Sequence, residues 1–124
     1  MAAIIQSHDA FLVTRRQKGV HLEGCWEFPG GKVEEGETHE GALMREIREE
    51  LDAGVEVRDL RYSTTHAYPE RTVTLFFYDC DLTGEPRPIL GQEMQWIPRT
   101  ELATLTFPPA DEELITMLLG TAAR

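Results

Sequence analysis

The chain has 124 residues, enough for one domain with a sizeable core and too few for two. Acidic residues outnumber basic ones 22 to 12, a formal net charge of −10 that repels the phosphates of nucleic acid polymers and of anionic lipid alike. A phosphate-bearing ligand on such a protein needs a local remedy, either a bound divalent cation or a few well-placed arginines. Cys25 and Cys80 have neither CxxC nor zinc-ligand spacing and read as buried free thiols, and the sequence alone leaves their pairing open. The N-terminal stretch MAAIIQSHDAF has no basic flank, and no segment reaches the ~18 apolar residues of a membrane span. These features predict a soluble, cytoplasmic protein with no membrane or nucleic acid polymer as partner.

In chain order, Ala2–Gln6 and Ala10–Arg16 read as two strands of a hairpin turned by Ser7-His8-Asp9. Residues 20–32 are rich in Gly and Pro and read as a loop anchored by Trp26 and Phe28. Thr38 can N-cap a helix that runs to about Leu51, where Gly54 and the β-branched Val55 and Val57 end the helical pattern. Val55–His66 and Arg71–Leu82 alternate as strands joined by a turn at Tyr68-Pro69-Glu70. After the turn signals Gly84, Pro86 and Pro88, Met94–Ile97 is a short strand, and Pro98-Arg99-Thr100 opens a brief helical turn. Asp111–Leu119 closes the pattern as a helix whose apolar face is Leu114, Ile115, Leu118 and Leu119. Strands interleaved with two helices predict a single α/β domain over residues 1–124, with helices on both faces of a mixed sheet.

The first helix is unusually acidic, with five glutamates and two arginines between Glu37 and Glu50. At about 100° per residue, Leu43, Ile47 and Leu51 form the stripe that faces the sheet, with Glu46 and Glu50 at its edge and Glu49 further round. A solvated face paired with Arg45 and Arg48 is the ordinary explanation of such a run. Carboxylates crowded against an apolar edge, however, repel one another and lose hydration, and a shared hard cation relieves both penalties. Mg²⁺ keeps waters and substrate phosphates in its shell, so the cluster suits phosphate chemistry. The preceding Gly30-Gly31 turn could bring backbone groups close to the same point.

Gly31, five residues, Glu37, seven residues, then Arg45-Glu46-Ile47-Arg48-Glu49-Glu50 resembles the Nudix box, the signature of hydrolases acting on nucleoside diphosphates linked to a further group. The chain is most similar to the MutT-like branch, and the likeness continues in FLVTRRQ, WEFPGGK, AYPERTVTLFFYDC and FPPADEEL. The resemblance implies an α-β-α sandwich that hydrolyses an oxidised nucleoside triphosphate to monophosphate and pyrophosphate. It implies Mg²⁺ as cofactor, with Mn²⁺ as a substitute, and a small nucleotide as the partner of a monomer or weak homodimer. Under it, Glu49, Glu50 and the Gly30 carbonyl bind the metal, and Glu46 binds metal or orients the attacking water. Arg45 holds the box together through Glu37 or a neighbouring glutamate, and Arg16 meets substrate phosphate. His21 and Tyr68 match nucleotide-contacting positions, and WEFPGGK offers Phe28, Pro29 and Gly30 as further substrate contacts. Glu27, between two aromatics, is expensive to bury without a hydrogen bond, and near Gly30 its partner is either substrate or a metal-bound water.

Three departures stand out. Asp52 occupies the position where the box normally ends on glycine, and Asp tolerates left-handed backbone well enough to keep the helix end. Leu90 stands where relatives often place a glutamate, leaving Glu93 as the nearest substitute catalytic carboxylate. Asp111 stands where MutT has a base-reading asparagine, and it reads equally as the N-cap of the last helix. Because an ionised aspartate only accepts hydrogen bonds, Asp111 leaves two substrates open: an oxidised purine such as 8-oxo-dGTP, and a pyrimidine (CTP, dCTP or 5-methyl-dCTP). A nucleotide-binding sensor without turnover is the alternative of another class.

Overall fold

The computed structural model describes residues 1–20 and 22–120. Among the described residues six strands form one mixed sheet. β1 (Ala2–Ser7) and β2 (Ala10–Arg15) make a hairpin whose two loop residues, His8 and Asp9, both have positive φ (52° and 65°), as a type I′ turn requires. Ser7, read as part of the turn, is the last strand residue and pairs with Ala10.

β1 runs parallel to β5 (Thr72–Leu82), which pairs antiparallel with the long β4 (Val55–Ala67). On its far side β2 pairs with β6 (Met94–Pro98). β1 and β2 touch only at Gln6↔Phe11 and Ser7↔Ala10. Beyond that they diverge, and residues 26–31 fill the fork. Trp26–Glu27 forms a two-residue strand, β3, on the β2 side, while Gly30 bridges to Ala2 on the β1 side. This segment was expected to be loop throughout, and its strand character comes from the fork rather than from its own sequence.

Both faces of β1 and β2 are buried, which is why they read as continuous apolar runs. Ala3, Ile5 and Leu12 face α1 (His39–Leu51) and its Leu43, Ile47 and Leu51. Ala2, Ile4, Phe11 and Val13 face the opposite layer, with Phe28, Phe77, Leu114 and Leu118. Burying each of these helix leucines and isoleucines contributes about 1.5–3 kcal/mol. α2 spans Glu112–Gly120 and is preceded by a 3-10 turn over Pro109–Asp111, so it starts one residue later than expected. A second 3-10 segment, Arg99–Thr104, follows β6.

Thr38 caps α1 as expected, its hydroxyl accepting from the Gly41 N–H at 3.0 Å. Asp52 ends the helix in the left-handed region (φ 52°) with its N–H on the Arg48 carbonyl, so the missing glycine of the box is tolerated. Cys25 and Cys80 are both free thiols, but only Cys80 is fully buried. No described helix is long and apolar enough to cross a membrane.

Candidate active site

Arg45 organises the acidic helix. Its Nε and Nη2 take both oxygens of Glu37 (2.7 and 2.9 Å), its Nη1 takes Glu46 (2.7 Å) and Glu49 (3.2 Å), and Nη2 also reaches the Lys32 carbonyl (3.1 Å). A planar guanidinium can serve so many acceptors at once because its five donors point outward in a fixed plane. Hydrogen bonds from Arg45 and from the Glu34 N–H hold the Glu37 carboxyl down at about 2. The arginine thus ties the loop before the helix to the helix itself.

The two glycines are required by contact. A side chain on Gly30 would sit 2.0 Å from the Met1 carbonyl oxygen, and one on Gly31 would sit 2.1 Å from Glu46 Oε2. Gly30 lies opposite Ala2 in an antiparallel bridge whose hydrogen bonds are Ala3 N–H to Pro29 O (2.8 Å) and Gly31 N–H to Met1 O (2.9 Å). In such a pair the residue between the bonds turns its own N–H and C=O away from the partner strand. Accordingly the Gly30 N–H reaches Glu50, and the Gly30 carbonyl leaves along the same edge.

Glu50 is the strained group. Burial, then the charges of Glu27 and Glu46, push its carboxyl up to about 8 against the favourable Gly30 N–H. Its neighbours are oxygen donors, and its cost is uncompensated negative charge. This donor set fits a hard divalent cation. Among the described residues no three acidic or imidazole groups form a ready-made cage, because Glu46 and Glu49 are turned to Arg45. An open site of this kind suits an ion that keeps water and phosphate ligands.

Beside this edge opens a cleft of about 510 Å³, walled by apolar groups such as Phe28, Leu75, Phe77 and Pro108. Phe28 stacks on Phe107 (5.6 Å) and meets Phe77 edge-on (6.1 Å), so it is both core anchor and cleft wall. Asp111 also lines the cleft while only 4% exposed, and burial followed by the Glu27 charge pushes its carboxyl up to about 7. Its carboxylate has no hydrogen-bond partner among the described residues, which leaves the helix-capping reading without its bond. Tyr68 lines the same cleft, and its hydroxyl accepts from the Ala110 N–H at 3.3 Å. Arg16 Nη1 pairs with Glu27 Oε1 at 2.8 Å, and burial raises the Glu27 carboxyl despite that partner.

The fold therefore brings Arg16, Glu27, Phe28, Gly30, Tyr68 and Asp111 to one cleft, with Glu50 at a second, smaller one of about 150 Å³ alongside. Pro29 is fully buried and lines neither cleft, offering its carbonyl to Ala3 instead. Glu49 is largely exposed. Glu93 pairs with Arg15 at 3.3 Å and lines neither cleft. His21 lies outside the described residues.

Lys32 and Arg71 line the larger cleft and were not singled out in the sequence. Arg71 sits at the hairpin tip, exchanging backbone hydrogen bonds with Tyr68 (2.7 and 3.2 Å). A lone cation at a turn in so acidic a chain was the available signal. Gln92 was missed as well, and it donates to the Glu50 carbonyl at 3.0 Å from the rim of the smaller cleft.

The geometry agrees with what comparison finds. A family model described as NUDIX domain matches residues 1–117. An 8-oxo-dGTP diphosphatase of Escherichia coli K12 is 35% identical over 116 residues, covering 93% of this chain and 90% of its own. A CTP pyrophosphohydrolase of the same strain is 32% identical over 126 residues, covering 99% of this chain and 92% of its own. The solution structure of the E. coli ORF135 protein superposes with a TM-score of 0.80 at 32% identity, over 98% of this chain and 86% of that one. With the box, the glycine turn and the α-β-α layering all in place, the chain belongs to the Nudix family.

Proposed function

We propose that the chain hydrolyses a nucleoside triphosphate to the monophosphate and pyrophosphate, with an oxidised purine such as 8-oxo-dGTP as leading substrate. One observation carries this reading: an apolar cleft of about 510 Å³, with the buried Asp111 carboxylate in its wall, opens beside the half-buried, charge-crowded Glu50. The base would lie between Phe28 and Tyr68 with its polar edge on Asp111, and the phosphates would run past Arg16 towards Gly30.

Glu50, Glu49, Glu46 and the Gly30 carbonyl would hold a divalent cation, Mg²⁺ or Mn²⁺. Once bound, the ion supplies charge for the phosphates, polarises the phosphoryl group and lowers the pKa of a bound water. Arg45 fixes the carboxylates in place, and Arg16 neutralises phosphate charge. A glutamate of the set takes the proton of the water that attacks the β-phosphorus, and the bond from that phosphorus to the α,β-bridging oxygen breaks. Glu93, held by Arg15, would have to release that partner to take part. A single chain supplies every group named, so a monomer suffices as the active unit, in the cytoplasm.

A second reading, a cytosine triphosphate, is favoured by Asp111 where an amide would suit a purine, and by the likeness to the CTP pyrophosphohydrolase. With its carboxyl near 7, Asp111 can donate when protonated and accept when ionised, so both bases find a partner.

The test is pyrophosphate release from a panel of triphosphates with Mg²⁺. Glu50→Gln keeps shape and removes charge, and should lower kcat by about 10²-fold or more. Near-normal turnover in that variant would sink the metal assignment, and nucleotide binding without turnover in the parent protein would favour a sensor. Because repulsion is relieved, the same variant should melt no lower than the parent without metal.

A further inference from the structure

Among the described residues four that are not glycine have positive φ, and three of them are accounted for. His8 and Asp9 make the β1–β2 turn, Asp52 ends α1, and all three are residue types that tolerate left-handed backbone. The fourth is Leu22 (φ 59°), a bulky apolar residue for which that region is a true outlier. We propose that Leu22 is a specificity-determining residue, its strained backbone holding an apolar side chain against the nucleobase in the larger cleft. The inference rests on the function proposed above and adds to it a residue that reads the size of the base.

The local turn does not account for the strain. Leu22 is the first residue of a turn closed by the Cys25 N–H on the Leu22 carbonyl at 3.2 Å. A turn sets the dihedrals of its two central residues only, here Glu23 and Gly24, and Gly24 (φ 83°) meets the positive φ that a type II turn demands. Leu22 is free to take ordinary backbone as far as this turn is concerned. Instead the turn is bolted to the end of β2, with the Gly24 N–H on the Arg16 carbonyl (3.0 Å), the Arg16 N–H on the Cys25 carbonyl (2.8 Å) and Arg15 Nε on the Gly24 carbonyl (3.0 Å). Strain of this kind persists only where the surrounding structure over-determines it, and it collects at ligand sites.

The strain places the half-buried Leu22 in the wall of the larger cleft, together with Tyr68, Pro108 and Asp111. On the placement proposed for the nucleotide, these residues surround the base. Tyr68 and Asp111 bring polar groups to it, whereas a leucine side chain can recognise only area and shape. An apolar wall stabilises in proportion to the surface it covers, so Leu22 favours a two-ring base over a one-ring base. A contact with the base is made equally before and during reaction at phosphorus, so its loss falls on KM and leaves kcat.

The experiment measures kcat and KM for 8-oxo-dGTP and dCTP, and the melting temperature, in the parent protein and in Leu22→Ala, Leu22→Gly and Leu22→Met. Both truncations should raise KM for 8-oxo-dGTP by roughly 3- to 30-fold with kcat held within about twofold, and should lower the kcat/KM ratio of 8-oxo-dGTP over dCTP by about threefold or more. Leu22→Met, apolar and close in volume, should recover most of that loss. At ordinary backbone angles alanine is the more stabilising of the two small residues, because it restricts the unfolded chain, but at positive φ the order reverses. Leu22→Gly should therefore melt no lower than Leu22→Ala. Unchanged KM and ratio in both truncations, or a loss carried by kcat, would overturn the base contact, and a clearly higher melting temperature for Leu22→Ala would overturn the strained backbone beneath it. No turnover of any triphosphate by the parent protein would instead overturn the proposed function, and this inference with it.

Discussion

Asp111 shows how much a single residue can carry. Its folded value of about 7 lies well above the ordinary carboxylate value, so the folded chain binds this proton more tightly than the unfolded one. The penalty is absent below about pH 4, where both states are protonated, and grows as pH rises to about 7 and the buried group ionises. Asp111→Asn should therefore be more stable than the parent at pH 8, on the order of 2–4 kcal/mol, and close to it at pH 4, as read by thermal melts at both pH values. If Asp111 reads the base, the same variant should also raise the kcat/KM ratio of 8-oxo-dGTP over dCTP. Equal melting shifts at both pH values would show that burial of this charge is not what separates the two chains. That Asp111 would matter was legible in the FPPADEEL motif, but its burial was not, because the cleft it lines is assembled from distant parts of the chain, Phe28 and Tyr68 among them.

At the scale of elements, the acidic helix was legible almost to the residue, since a cap, a 3.6-residue apolar stripe and a terminator all lie within it. Its support was not legible. The segment after β5 folds back over the end of α1, giving the Arg87 N–H to the Leu51 carbonyl (2.8 Å), pairing Arg87 with Asp52, and bringing Gln92 to the Glu50 carbonyl (3.0 Å). Gln92 thus braces the helix terminus, and its own side-chain oxygen accepts from the Leu90 N–H at 3.0 Å. Gln92→Ala should weaken Mn²⁺ binding to the nucleotide-free protein several-fold, by titration calorimetry, with KM for nucleotide changed little. Unaltered Mn²⁺ affinity would reduce the brace to a surface contact. β3 was illegible for a plainer reason: two residues among glycines and prolines have no period, and only the divergence of β1 from β2 gives them partners.

Across the whole molecule, Arg99 ties the ends of the fold together. Only 5% exposed, it bonds Asp9 in the β1–β2 turn (2.7 Å) and the Leu118 carbonyl in α2 (2.5 Å), and lies 5.2 Å over the Phe11 ring. Replacing it with Ala should cost about 2–4 kcal/mol, seen as a lower urea midpoint at unchanged slope, with kcat of the folded fraction preserved. An unmoved midpoint would mean that desolvation of the guanidinium cancels its bonds. The sequence showed Arg99 only as part of a helical turn, because its partners are far away in the chain. The same long reach governs how the site is assembled. The Gly30 turn rests on Ala2, and Ala2 is held by its parallel pairing with Phe77, across more than half the chain. Closing so long a loop is entropically slow, so the Gly30 edge is complete only once β1 has paired with β5. A chain in which α1 has formed but β1 and β5 have not paired should therefore lack the edge where the Gly30 N–H meets Glu50, however helical it is.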